Sequence, residues 1–368
     1  MLDNGRISSV QLLLILFTVV GATALLYAIP GLAALAGPDG AITAFLGGFY
    51  SLLVVLVAVM LGKRYPAQVF TEYLPGILGR IPGKLLATVY TVMLIGLVVV
   101  TLSEGSSFVH ILLLSLTPTA VLDTVLVIGA VYGAYLGIEC IARQNGLTAS
   151  VWMLSILLLC ALAARDLKFG NLEPVLGNGL QPILRAGVFH CSFWGDAFIL
   201  LLLFPYLNQK QEALKTGLLY LIIVMIFAGL ATAVNEGIFG DLVTAHLVFP
   251  FETMVKYISV GGFIERMELI FMLVFIAAII LKLAVFYHAA SIAASSTLGL
   301  KSYRLTLIPI AVITVILRGA LFPSYLKLTT FLFHAFPVYA AVLQLVIPAL
   351  VLLVAVLRKL PGEIDPMD

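Results

Sequence analysis

The sequence predicts an all-α integral membrane protein of about ten transmembrane helices, arranged as two sets of five, with helices 1 and 6 broken. Three observations carry this. First, 62% of the 368 residues are hydrophobic and only 10% are charged, with mean hydropathy +1.17; a soluble globular chain carries about 25% charged residues. Second, apolar runs of the roughly 20 residues needed to cross a bilayer recur along the whole chain. Third, two of those runs are interrupted near their middles, at matching places in the two halves.

Taken in order, the candidate spans are 8–36, 40–61, 83–112, 119–141, 146–164, 181–206, 214–236, 263–291, 303–322 and 334–358. Gly and Pro mark the connections, as in Pro38-Asp39-Gly40, Ile81-Pro82-Gly83, Thr117-Pro118 and Gly177-Asn178-Gly179. The chain reads as a single transmembrane domain, 1–368. Its first repeat covers about 7–165, its second about 181–322, and a last helix and tail about 334–368. An odd number of spans per half inverts the second half in the membrane. The amphipathic stretch from Phe249 to Ser259, with Glu252 and Lys256, is expected at the membrane interface. Arg6 precedes an apolar run far longer than the 7–15 residues of a signal-peptide core, so the first span is not expected to be a cleavable signal.

With the amino terminus inside, the connections on that side hold twelve Lys and Arg, and those on the other side hold seven; the twentieth is Lys282, inside span 8. The positive-inside rule therefore expects both termini in the cytoplasm.

Several function classes are excluded or left without support. A net charge of +2 suggests no nucleic-acid partner. Three scattered cysteines, Cys140, Cys160 and Cys191, give neither a disulfide framework nor metal-ligand spacing, and the five histidines are isolated. No HExxH, P-loop, GxSxG elbow or dinucleotide fingerprint occurs, so neither an enzyme nor a cofactor is expected.

The two interruptions read Val19-Val20-Gly21-Ala22-Thr23-Ala24 and His190-Cys191-Ser192-Phe193-Trp194-Gly195-Asp196. Unwound backbone in lipid is costly and survives only where it lines a protected cavity. Paired interruptions in corresponding positions point to a ligand site at the bilayer midplane of a transporter-like fold. At the first, Gly21, Ala22 and Thr23 are small enough for a ligand to approach the backbone, and the N–H groups of the next half-helix would suit a carboxylate. Close helix packing through small residues is the other reading of the same triplet. At the second, Phe193 and Trp194 suit an apolar wall. Asp196 is either a helix cap or a ligand contact.

Ionisable residues at membrane depth are functional hypotheses by default. Lys282, in Ile279-Ile280-Leu281-Lys282-Leu283-Ala284, stands out. It reads as a cation beside the cavity, replacing a coupling ion or meeting the ligand, or else as a side chain whose long stem snorkels or that neutralises a carboxylate structurally. Leu97, Thr101 and Glu104 share one face of span 3; Leu97 and Thr101 suit a cavity wall, and Glu104 is expected toward the outer headgroups. Glu139 and Arg143 read as an ordinary helix-end ion pair.

A set of short motifs resembles the B subunits of bacterial spore germinant receptors. They are Arg6-Ile7-Ser8-Ser9-Val10-Gln11, Glu72-Tyr73-Leu74-Pro75, Leu116-Thr117-Pro118, Gly137-Ile138-Glu139-Cys140-Ile141-Ala142-Arg143, Asn171 through Gly179, and Phe263-Ile264-Glu265-Arg266-Met267-Glu268. Together they cover nearly the whole chain in order. The resemblance implies the amino acid–polyamine–organocation superfamily and its ten-helix LeuT-type core, a 5+5 inverted repeat. It implies sensing of a nutrient, often a small L-amino acid such as alanine. It places the protein in the spore inner membrane, with an A subunit implicated in ion release and a lipoprotein C subunit. The superfamily site between spans 1, 3, 6 and 8 maps onto Gly21, Ala22, Thr23, Leu97, Thr101, Ser192, Phe193, Trp194, Gly195, Asp196, Leu281 and Lys282. On this reading the ligand carboxylate meets backbone N–H groups near Gly21 to Thr23, and its side chain faces Leu97, Phe193 and Trp194. Asp196 departs from the glutamate often found after the span 6 glycine in this family. A proton-coupled amino acid transporter, with Lys282 as the proton-linked group, is the alternative.

Overall fold

The computed structural model describes residues 5–257 and 267–359, with the backbone alone for 267–270. The helices, in chain order, are α1 (Ser9–Ala36), α2 (Thr43–Arg64), α3 (Phe70–Leu78), α4 (Arg80–Leu112), α5 (Thr119–Leu136), α6 (Ile138–Ala163), α7 (Leu180–Trp194), α8 (Leu200–Leu203), α9 (Ala213–Phe239), α10 (Asp241–His246), α11 (Pro250–Tyr257), α12 (Met267–Leu298), α13 (Arg304–Leu321), α14 (Tyr325–His334), α15 (Phe336–Ala341) and α16 (Ile347–Leu357). No strand occurs among the described residues. The expected opening of span 8 at 263–266 and the tail beyond 359 lie outside the described residues.

Nine continuous helical stretches among the described residues are long and apolar enough to cross a membrane. The first, Ser9–Arg64, has 56 residues, about 84 Å at 1.5 Å per residue, too long for one passage through a core of about 30 Å. It folds back at a 3₁₀ turn, Gly37–Ile42, where Pro38 and the positive φ of Gly37 stop α1. It therefore holds two spans, which makes ten, and the protein is a multi-pass membrane protein. Spans 1 to 10 are α1, α2, α4, α5, α6, α7 with α8, α9, α12, α13, and α15 with α16.

Local chemistry sets the ends. Ser8 and Gln11 cap α1 reciprocally, Gln11 N–H donating to Ser8 Oγ at 3.2 Å and Ser8 N–H to Gln11 Oε1 at 2.9 Å. The segment before α1 pairs with the end of span 6, Ile7 N–H donating to the Tyr206 carbonyl at 2.9 Å. One boundary differs from the sequence expectation: the fourth and fifth spans part at Gly137 (φ 96°) rather than after 141. A single glycine in the left-handed region makes the turn, so no polar gap advertises it, and Glu139 belongs to the first turn of α6. Its pair with Arg143, at 2.5 Å and exposed, is as expected.

The helices fall into two groups. Helices α1, α2, α7 and α9 pack on one another, and α4, α5, α12 and α13 do the same. Helix α1 crosses α12 where the groups meet, and α6 flanks both. Large apolar side chains such as Val125, Ile128, Ile226, Ile308 and Ile316 face outward, as lipid contact requires. Helix α11 forms the expected amphipathic helix, with Lys256 and Tyr257 exposed. It packs against α1, α6, α9 and α12, with Phe251 and Met254 buried. The Lys256 ammonium, 2.5 Å from the Glu252 carboxylate, offsets the burial of that acid.

The two expected breaks take different forms. Span 6 departs from α-helix at Gly195–Ile199, a 3₁₀ turn between α7 and α8. The break thus begins at the last two residues of the predicted stretch, and His190 to Trp194 remain helical. At Gly21-Ala22-Thr23, by contrast, α1 runs on without unwinding. The triplet serves close approach: a Cβ on Gly21 would stand 2.8 Å from the Trp152 ring of α6. Unbroken helix satisfies every backbone group in lipid, and small residues admit a neighbour's ring without breaking it.

Candidate functional site

Lys282 is 1% exposed and lies on α12 where the two helix groups meet. Its Nζ donates to Thr23 Oγ1 of α1 at 2.7 Å and to Asp196 Oδ2 of the span 6 turn at 2.8 Å. The ammonium also stands 5.4 Å from the centre of the Phe286 ring, within cation–π range. The other Asp196 oxygen, Oδ1, accepts from Gln344 Nε2 at 2.9 Å, and the same amide donates to the Ser192 carbonyl at 3.0 Å. Both carboxylate oxygens are thus engaged, one by α12 and the other by span 10.

The 3₁₀ turn and the amide need each other. A Cβ at Gly195 would overlap the Gln344 side-chain oxygen. Gln344 itself sits in a π-helical turn, Val342–Val346. Such turns insert an extra residue into a helix and are frequent at functional sites.

Burying an ion pair this deeply costs several kcal/mol per ion in desolvation, which mutual attraction offsets only with good geometry and further hydrogen bonds. Thr23 and Gln344 supply those bonds. A second acid lies within electrostatic range of the pair: Glu104 of α4, 2% exposed. It is not at the outer headgroups, as its sequence position suggested. The Tyr27 hydroxyl donates to its backbone carbonyl at 2.8 Å, and its Oε1 has no hydrogen-bond partner among the described residues. The buried cluster therefore holds one basic and two acidic side chains.

The structure brings together Thr23, Ser192, Gly195, Asp196 and Lys282, and places the remaining predicted residues around or away from them. Thr101 is fully buried one turn before Glu104, with its hydroxyl unpartnered among the described residues. Leu97 is buried on the same helix, one turn after Met93, whose carbonyl accepts from the Tyr339 hydroxyl at the start of span 10. Phe193 packs with Phe189 and Phe336 in an aromatic cluster, not against Lys282. Ala22 is wholly buried in α1. Gly21 and Trp194 line a different space, a cavity of about 40 Å³ shared with Trp152, His190 and Thr232. That volume suits a water molecule and is far below the 300–1,000 Å³ of small-molecule pockets. Leu281 turns the other way and lines a groove with Gly133 and Cys140 between α5, α6 and α12.

Two participants differ from the sequence expectation. Gln344 is a lone amide in the apolar run Leu343-Gln344-Leu345, and the rule that singled out Lys282 would have found it. Glu104 is placed differently from the expectation: α4 ends at Leu112 as the sequence predicts, but at Glu104 it is buried against α1, whose Tyr27 hydroxyl reaches the Glu104 carbonyl.

A ten-span all-helical bundle in two packed groups, with span 6 broken, matches the fold of LeuT-type transporters. Solved structures of such proteins superpose on this chain. MhsT in complex with L-phenylalanine gives a TM-score of 0.67 at 13% identity, covering 96% of this chain and 90% of its own. The nucleobase-cation-symport-1 transporter Mhp1 gives 0.63 at 16% identity, covering 89% and 74%. The chain belongs to the Spore germination protein family, whose model matches residues 6–319. Among curated relatives from Bacillus subtilis (strain 168), Spore germination protein KB is 23% identical over 363 residues, covering 97% of this chain and 96% of its own. Spore germination protein YndE is 26% identical over 266 residues, covering 70% and 71%. Spore germination protein A2 is 24% identical over 267 residues, covering 72% and 73%.

Proposed function

We propose that this chain is the nutrient-sensing subunit of a spore germinant receptor, binding a small L-amino acid near the membrane midplane and signalling to A and C partner subunits in the spore inner membrane, with both termini cytoplasmic. One observation carries the reading: the Lys282–Asp196 pair and its Thr23 contact join the two helix groups at a point sealed from solvent. A guest entering there must part the groups, and a ligand shifts such an equilibrium only through differential affinity for the two arrangements. Family membership supplies the germination context.

A proton-coupled transporter is the second reading, favoured by the shared fold and by a buried lysine paired with an acid. A thermal-shift screen of the purified full-length chain against the L-amino acids tests the first step common to both. A rise in Tm with at least one small amino acid supports the reading. Flat curves for all of them overturn it.

A further inference from the structure

The proposed guest site has a chemistry that names the guest's class more closely. Because α1 is continuous helix, its backbone N–H groups at Gly21 to Thr23 are committed to the helix ladder and offer no cradle for a carboxylate. Of the buried cations, Arg318 is already held by Asp123 at 3.1 Å, with Ser106 and Thr119. That leaves the Lys282 ammonium as the cation at the seam among the described residues. Opposite it stand Asp196 and, within electrostatic range, Glu104 with one carboxylate oxygen unpartnered among the described residues.

Resting on the reading of a guest at this seam, we propose that the guest is recognised by exchange of the internal ion pair: its carboxylate takes Asp196's place on Lys282, and its ammonium takes Lys282's place on Asp196, with Glu104 as a further acceptor. An uncharged guest wedged between Lys282 and Asp196 would leave two buried charges without a counter-charge, which is strongly unfavourable. A zwitterion restores both contacts, so the site rejects sugars and nucleosides and accepts α-amino acids. An ammonium has three donors and no acceptor. Asp196 Oδ2 supplies an acceptor for one of them and Glu104, whose Oε1 has no hydrogen-bond partner among the described residues, supplies another, while Gln344 keeps Asp196 Oδ1 in place. The exchange also explains how binding is felt. Lys282 belongs to one helix group and Asp196 and Thr23 to the other. With a guest between them, each charge remains satisfied while the groups stand apart.

The test is isothermal calorimetry on the full-length chain in nanodiscs. It uses the amino acid that gives the largest thermal shift, its methyl ester, its N-acetyl derivative, glucose and inosine. The proposal expects the ester and the N-acetyl compound to bind at least about tenfold more weakly than the free amino acid, and glucose and inosine not to bind. It further expects Lys282→Gln to weaken the free acid by a similar factor and leave the ester unchanged. Asp196→Asn should act in the same selective way on the ammonium, sparing the N-acetyl compound. If the ester binds as tightly as the acid, or Lys282→Gln weakens acid and ester equally, the exchange is wrong while the sensing reading stands. If no amino acid binds the monodisperse wild-type protein, both fall. Should a variant not yield monodisperse protein, the ester and N-acetyl series on wild type decides alone.

Discussion

Lys282 and Asp196, 86 positions apart in the chain, meet at 2.8 Å with 1% and 2% of their side chains exposed. This contact ties a helix of one packed group to the 3₁₀ turn of the other. Removing one member strands the other charge in a dry interior. We predict that Lys282→Met lowers stability by about 3–5 kcal/mol, and that Lys282→Met/Asp196→Leu recovers most of the loss. Thermal unfolding of the two variants checks this. A double variant no more stable than the single would show that the pair is not coupled.

The second buried pair makes a scaffold counterpart. Arg318 Nε stands 3.1 Å from Asp123 Oδ1, and the guanidinium also reaches Ser106 Oγ at 3.0 Å, joining α4, α5 and α13. Because it lies within one helix group, it should affect stability without affecting guest selectivity. Arg318→Ala is expected to cost about 3–5 kcal/mol, against less than about 1 kcal/mol for Arg143→Ala, whose pair with Glu139 is exposed. Equal unfolding temperatures for the two variants would contradict the assignment.

Gly195 is required by the Gln344 amide, which occupies the space a Cβ would need. Gly195→Ala should destabilise by roughly 1–3 kcal/mol through overpacking. Gln344→Ala in the same chain should relieve the overlap, although the single Gln344→Ala leaves Asp196 Oδ1 without its donor. Additive losses in this double-mutant cycle would refute the contact.

Gly21 acts through Trp152 rather than through an unwound backbone. Gly21→Leu is therefore expected to lower the unfolding temperature outright, and Gly21→Leu/Trp152→Ala to restore part of it. If Gly21→Leu leaves unfolding unchanged and abolishes only ligand binding, the broken-helix view of span 1 returns.

The ten spans were legible because each is a run of about 20 apolar residues between polar or glycine-rich connections. The boundary at Gly137 was not, since apolar residues continue on both sides and only the backbone angle turns the chain. Gly21-Ala22-Thr23 was ambiguous by nature: small residues mark both a broken helix and a tightly packed one, and the deciding neighbour, Trp152, is 131 positions away. Lys282 was legible as an anomaly because a lysine in an apolar run is costly wherever it points. Its partners were not, because Thr23 lies 259 positions off and nothing local encodes that contact. Gln344 went unnoticed because an uncharged amide raises a weaker alarm than a charge.

Parallel binding and transport assays in proteoliposomes address the central claim most directly. The amino acid that stabilises the protein is supplied in radiolabelled form, with and without an imposed pH gradient. The account predicts saturable binding with no accumulation above empty liposomes, as expected of a transporter scaffold used as a sensor. Uptake that follows the pH gradient would contradict it and establish a carrier instead.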